Sequence, residues 1–195
     1  MKFLVEDAVQ AYQGFLKIIQ AKVTFDSFES GKSIMAKREM MDRGDSVAVL
    51  LFEKDTQNFL LTRQFRFPAA TKDQHDKIPN AGWLDEIPAG KLEDGENPHD
   101  CAKREVMEEL GYRCESLQSI SHFYVSPGGT SERIWLFYSE VQSSDKIGDG
   151  GGLDSEHENI QLMRYHKDDL AIRIANGEIR DAKTIIAIQW WKLHH

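Results

Sequence analysis

Apolar positions recur along the chain in blocks, each closed by residues that interrupt regular structure. Residues Tyr12 to Asp26 interleave β-branched and aromatic side chains with polar ones, which predicts a strand, and Ser30-Gly31-Lys32 predicts a hairpin turn after it. A second strand is predicted from Ser33 to Met41. Val47 to Phe52 is continuously apolar, and with Asn58 to Gln64 across Asp55-Thr56-Gln57 it reads as a buried hairpin.

The period then changes from two to nearly four. Asn97-Pro98 pairs a capping side chain with a proline in the first turn, Gly111 is the matching stop, and Ala102, Val106 and Leu110 make a core-facing stripe between them. A helix over Pro98 to Leu110 follows. Strands are predicted at Ser119 to Val125 and Arg133 to Val141, separated by the turn-rich Ser126 to Thr130. Ser143 to Asp154 is polar and glycine-rich and reads as a mobile surface loop. Helices at Asp168 to Asn176 and from Asp181 to about Leu193 close the pattern, with no internal repeat.

Length and composition narrow this picture. A chain of 195 residues, 41% hydrophobic and 29% charged, supports one main core with a small appendage. Two cysteines, Cys101 and Cys114, are too few for a disulfide scaffold and read as packed thiols in a reducing compartment. Met1 to Gln10 carries Glu6 and Asp7 and no apolar core, unlike a secretory signal, so a cytoplasmic protein with no membrane partner is expected. A formal charge of −8 argues against a nucleic-acid polymer as partner, because phosphate backbones reward clustered Lys and Arg. A small phosphorylated ligand would need positive charge from elsewhere.

The chemistry concentrates on the helix at 98–110. Glu105, Glu108 and Glu109 stand at i, i+3 and i+4, and so share one face near its C-terminal end. Like charges at these spacings repel, and the helix dipole adds about 0.3 to 1 kcal/mol of further cost per acid. A hard divalent cation reverses every one of those terms.

The whole stretch from Gly90 through Glu96 and Arg104-Glu105-Val106-Met107-Glu108-Glu109-Leu110-Gly111 to Tyr112 resembles the Nudix box, departing only in placing the aromatic Tyr112 where an aliphatic residue is usual. Further segments resemble the branch that hydrolyses ADP-ribose and other nucleoside diphosphate sugars. They are Arg63-Gln64-Phe65-Arg66, Glu86-Ile87-Pro88-Ala89-Gly90, Ser126 to Arg133 with Pro127 fifteen residues beyond the box, and the loop from Gly150 to Ile160.

That resemblance implies an α/β fold, a Nudix α/β/α sandwich with a mixed sheet, plus a small N-terminal antiparallel β-sheet. It implies a division into an N-terminal β-sheet region at 1–42 that builds a homodimer and a hydrolase domain at 43–195. The implied metal set is Glu105, Glu108, Glu109, Glu158 and the backbone carbonyl of Ala89, holding Mg2+, with Mn2+ as a substitute. Arg104 orients a box carboxylate, Glu96 serves the box fold, and Glu156 is the general base. Arg38, Arg66, Ser126 and Glu132 match substrate contacts, Glu132 reaching the partner subunit's ligand.

Lys91 stands where some relatives carry an apolar residue, so the sugar end differs. Trp190-Trp191 reads as core and His194-His195 as a tail without a role.

The implied activity is Mg2+-dependent hydrolysis of a nucleotide-sugar substrate, ADP-ribose, GDP-mannose or a UDP-sugar, to a nucleoside monophosphate and a sugar phosphate. Two alternatives stay open at this point. One is hydrolysis of another diphosphate derivative such as coenzyme A, a dinucleotide or a damaged triphosphate; the other is a sensor that binds a nucleotide sugar without turnover.

Overall fold

The computed structural model describes residues 1–155 and 157–195. The chain forms two compact units, Met1–Asp45 with Phe123–Ile134, and Ser46–His122 with Trp135–His195.

In the first unit three strands, β1 (Phe3–Gln13), β2 (Lys17–Asp26) and β3 (Ser33–Asp42), make an antiparallel sheet in the order β1-β2-β3. The strand predicted over Tyr12 to Asp26 is thus two strands, broken at Gly14–Leu16, and β1 is an addition to the expected elements, because Glu6 and Asp7 interrupt its apolar pattern. The break has a visible cause: the Gly14 N–H turns back to the Leu16 carbonyl at 3.0 Å. This sheet has little interior of its own. Phe3, Leu4, Val5, Val9, Tyr12 and Met35 are all exposed. Within the same unit the loop 125–133 closes on the end of β3, with the Met41 N–H donating to the Gly129 carbonyl at 2.8 Å and Arg133 gripping Asp45 through two nitrogens at 3.0 and 2.6 Å.

The main sheet runs β10 (Gln161–His166), β5 (Asn58–Phe65), β4 (Ser46–Glu53), β9 (Arg133–Val141), β8 (Gln118–Tyr124), with β6 (Trp83–Glu86) on β5 and β7 (Ala89–Lys91) on β4. Strand β4 has no hydrophobic-polar alternation, as expected of a strand covered on both faces. Val47, Val49 and Leu51 pack with Ala102, Val106 and Leu110 of α2 (Pro98–Leu110) on one side. Phe52 and Phe59 meet Trp191 of α4 (Ala182–His194) at ring separations of 5.7 and 5.1 Å on the other. This is an α/β/α sandwich, and Trp191 is half-buried against these two rings. Trp190 instead meets Tyr138, and His194 and His195 lie at the end of α4 with their rings against its last carbonyls. Cys101 and Cys114 are buried and unpaired, and burial pushes both thiols up, Cys101 to about 12, so both are chemically quiet.

Helix ends follow their local signals. Asn97 caps α2 by accepting from the His99 N–H at 2.8 Å, and Gly111 ends it in the left-handed region at φ 73°. Asp181 caps α4 through the Thr184 N–H at 3.0 Å, and α3 (Lys167–Ala175) lies one residue before its predicted span. A helix absent from the sequence pattern, α1 (Phe67–His75), is held by its buried Asp73, which accepts from the Gly82 N–H and from both terminal nitrogens of Arg180.

One expectation is corrected. Ser143 to Asp154 is not a free surface loop but is laid along the end of α2, where Gly152 and Gly151 donate to the Glu108 and Glu109 carbonyls at 3.0 and 2.9 Å. The last carbonyls of a helix have no partner within it, and the glycine run supplies them. Among the described residues no helix is long and apolar enough to cross a membrane.

Candidate active site

The box helix delivers its three acids to different surroundings. Glu109 points inward and is 2% exposed, with one carboxylate oxygen accepting from the Ala89 N–H at 3.1 Å. Burial pushes its pKa up to about 8 against that single donor, and the charges of Glu105 and Glu158 add to the rise. Glu105 is raised to about 7, by burial first, with Arg104 opposing and Glu108 and Glu158 adding. At neutral pH these carboxyls hold their protons with little energy to spare, the condition of anions packed together without enough countercharge.

Glycine at 90 is what allows this packing, since a Cβ there would overlap the Glu105 carboxylate. Ala89 faces the same acids: Val49 donates to the Pro88 carbonyl at 3.0 Å, which places Pro88 on the β4 side and turns Ala89 toward α2.

Arg104 is the organiser. One terminal nitrogen donates to Glu105 at 2.8 Å and to Glu108 at 3.0 Å, while its other nitrogens hold Glu96 at 3.1 and 3.2 Å. A planar guanidinium with five N–H donors serves three carboxylates in this way and grips Glu96 through two nitrogens. The Arg104 bond holds Glu96 down to about 2, so Glu96 is a fixed anion that anchors Arg104.

Glu158 accepts from the Leu153 N–H at 3.1 Å and makes itself felt at both Glu105 and Glu109. The glycine loop therefore brings a fourth acid to the cluster. Among the described residues no three His, Cys, Asp or Glu side chains are arranged as they stand to hold a metal ion. Glu105 and Glu108 are turned instead to Arg104. Glu156, the expected general base, lies outside the described residues.

Arg66 is 38% exposed and donates to Glu86 through Nε at 2.9 Å and through a terminal nitrogen at 3.1 Å. Glu86 is itself almost wholly buried and also meets Lys183 of α4, which bonds Asp181 at 3.0 Å. Burial alone would raise Glu86, but Lys183 and Arg66 outweigh it and hold the carboxylate at about 2. Sequence reasoning placed Glu86 in a motif without giving it a role and missed Lys183. The available signal was a lysine in the first turn of α4, an unusual place for a cation because the helix dipole disfavours it there.

The remaining expected substrate residues lie in the first unit. Arg38 is on β3, opposite Ala21 of β2, with its guanidinium on the Lys37 carbonyl at 3.2 Å. The Ser126 carbonyl accepts from the Gly129 and Thr130 N–H groups, and the Glu132 N–H donates to Thr130 Oγ1 at 3.1 Å.

A model of the NUDIX domain matches residues 42–186. The chain is 36% identical over 174 residues to a GDP-mannose pyrophosphatase of Yersinia enterocolitica, 89% of this chain and 87% of that protein. It is 33% identical over 191 residues to a GDP-mannose pyrophosphatase of Cronobacter sakazakii, 97% of this chain and 94% of that protein. Among solved structures, one described as an ADP compounds hydrolase superposes with a TM-score of 0.71 over 98% of this chain and 93% of that one, at 16% identity.

Proposed function

The chain belongs to the NUDIX family of pyrophosphohydrolases, and from that premise we propose that it hydrolyses the diphosphate of a nucleoside diphosphate sugar to a nucleoside monophosphate and a sugar phosphate. GDP-mannose is the leading substrate, on the names of relatives that span almost the whole chain, with ADP-ribose and UDP-sugars as the other members of the panel. The observation that carries the reading is the Glu105–Glu109 pair. A buried and a half-buried carboxyl sit near each other on the box helix, both shifted up chiefly by desolvation, against the tight backbone at Ala89-Gly90.

An all-oxygen donor set suits a hard divalent cation, and Mg2+ is our assignment, with Mn2+ as substitute. Glu105, Glu108, Glu109, Glu158 and the Ala89 carbonyl would hold it. When bound, such a cation neutralises nonbridging phosphate oxygens and acidifies a water molecule.

The rest of the chemistry belongs to the protein's own residues. Arg104 keeps Glu105 and Glu108 aimed, by bonds of 2.8 and 3.0 Å that a metal's arrival would loosen rather than create. Glu156 takes the proton from the attacking water. Arg66, steadied by Glu86, binds the diphosphate, and Arg38, Ser126 and Glu132 are assigned to substrate on the motif resemblance. We assign the exposed apolar sheet of residues 1–42 to a homodimer interface, because Phe3, Leu4, Val5 and Val9 on one strand are more apolar surface than a soluble chain leaves uncovered. The reading includes a cytoplasmic location.

Incubating the purified protein with Mg2+ and a panel of GDP-mannose, ADP-ribose, UDP-sugars, coenzyme A and a dinucleotide tests this directly. Nucleoside monophosphate should appear fastest from a sugar diphosphate; release from none of the sugar diphosphates sinks the proposal. Glu156→Gln should lower kcat about 100-fold, the lower range for loss of a general base, with Mg2+ affinity nearly unchanged. An equal loss of Mg2+ affinity would instead make Glu156 a metal ligand.

A further inference from the structure

The end of α2 is fastened to the glycine loop by one side chain that the proposed chemistry does not use. Lys146 is half-buried, and its ammonium donates to the Gly148 carbonyl at 2.7 Å, the Asp149 carbonyl at 3.0 Å and the Leu110 carbonyl at 3.4 Å. An ammonium has three protons, and here the helix end takes one and the loop two. The charge also sits at the negative end of the helix dipole.

The backbone around it is built for close approach. Lys146 and Tyr112 form an isolated antiparallel bridge, and Ile147 and Gly148 both donate to the Gly111 carbonyl at 2.9 and 3.0 Å. Gly150 sits at φ 71°, where a Cβ would run into the backbone of Glu109 and Leu110. Beneath the ammonium lies the Tyr112 ring, 5.8 Å away at its centre. That ring is fully buried and locked at its hydroxyl, which donates to Glu53 and accepts from Arg164 at 2.8 Å. The aromatic residue that departs from the usual box pattern is thus the floor of the lysine's seat.

What this seat controls is register. Gly151 and Gly152 hang from the carbonyls of Glu109 and Glu108, the residues whose side chains form the acidic cluster. Ile160 then donates to the Gly151 carbonyl at 3.1 Å, and Glu158 turns back onto the Leu153 N–H at 3.1 Å. Loop and helix are indexed to each other, residue against residue, and Glu158 follows from that indexing.

We propose that Lys146 is a positioning residue, whose ammonium pins the glycine loop to the C-terminus of the box helix and so sets the Glu158 carboxylate opposite Glu105 and Glu109. It touches neither substrate nor reacting atoms. The proposal rests on the pyrophosphohydrolase reading for its effect on turnover, but not for its effect on the loop.

The test compares Lys146→Met, which keeps the stem and removes the charge, with Lys146→Arg, which restores a cation. In metal-free protein, amide hydrogen exchange at Gly151 and Gly152 should quicken at least about tenfold in Lys146→Met, while the α2 amides from Ala102 to Val106 keep their rates. Mn2+ titrated onto the protein without substrate should bind about 10-fold more weakly, and kcat on the best nucleotide sugar should fall about 10 to 100-fold with KM nearly unchanged, the range seen when a group that orients a metal ligand is lost. Lys146→Arg should recover most of each effect.

Unchanged loop exchange, or exchange that quickens equally through α2, overturns the proposal, as does a loss in KM alone. If the wild-type protein cleaves no nucleotide sugar while loop exchange and Mn2+ affinity respond as stated, the substrate reading has failed and the positioning role stands.

Discussion

Glu109→Gln should reduce kcat/KM by about 10³-fold, equivalent to about 4 kcal/mol of transition-state stabilisation, while making the metal-free protein more stable at alkaline pH. The two effects have one cause. Glu109 has a single neutral donor, the Ala89 N–H, and its folded pKa of about 8 lies well above the usual carboxylate value of 4.5. Between those values the folded chain keeps a proton that the unfolded chain has released. The stability associated with that proton is complete below about pH 4.5 and is lost as pH rises through about 8.

A glutamine cannot ionise and escapes this loss, yet it gives a cation one oxygen without charge. Thermal denaturation near pH 4 and near pH 8.5 should show the two proteins alike at the lower value without metal, and the variant ahead at the higher one. Added Mg2+ should raise the wild-type midpoint most at high pH and the variant's little. A variant that keeps its activity, or that is less stable at high pH, would mean that Glu109 is an ordinary buried acid.

The second large effect concerns stability alone. Lys183→Met should lower the unfolding free energy by about 3 kcal/mol, at the low end for breaking a buried ion pair because Arg66 remains on Glu86. Lys183 and Glu86 are 10% and 3% exposed, so water screens neither. Glu86 titrates at about 2 in the folded protein, below the carboxylate value of 4.5. It therefore contributes stability that is present above about pH 4.5 and is lost as pH falls toward 2. In Lys183→Met, where the folded pKa of Glu86 moves back toward 4.5, this acid-dependent loss should be smaller. Urea unfolding with unchanged slope and a lowered midpoint is the expected record; a change under about 0.5 kcal/mol, the range of surface substitutions, would show the pair to be solvated.

These two sites also mark the limits of reading the sequence. Helix α2 was legible to its ends because its signals are local: Asn97 caps it, Pro98 starts it and Gly111 stops it within fifteen residues. The acidic face on it was equally legible, because i, i+3, i+4 spacing fixes a common direction whatever the tertiary context. Between Phe65 and Lys91 the local signals are weak, and α1 and β6 are tied to partners roughly a hundred residues away, Asp73 to Arg180 and Glu86 to Lys183. No window along the chain contains both members of either pair. The glycine loop failed for a related reason. Its composition reads as mobility, but its donors are complementary to the unsatisfied end of a particular helix, and that complementarity exists only once both are folded.

The hydrogen-bonded trio of buried Glu53 and Tyr112 with the exposed Arg164 bears on how this protein could be engineered. A sequence averaged over the family would write an aliphatic residue at 112, an ordinary stabilising choice for a core position. Here it would take the Tyr112 hydroxyl from Glu53, which is wholly enclosed, and leave one carboxylate oxygen without its donor, with Thr56 and Arg164 on the other. Positions 53, 112 and 164 must therefore be inherited or redesigned together, so consensus averaging, which treats columns as independent, would fail at the one place where this chain departs from its own motif.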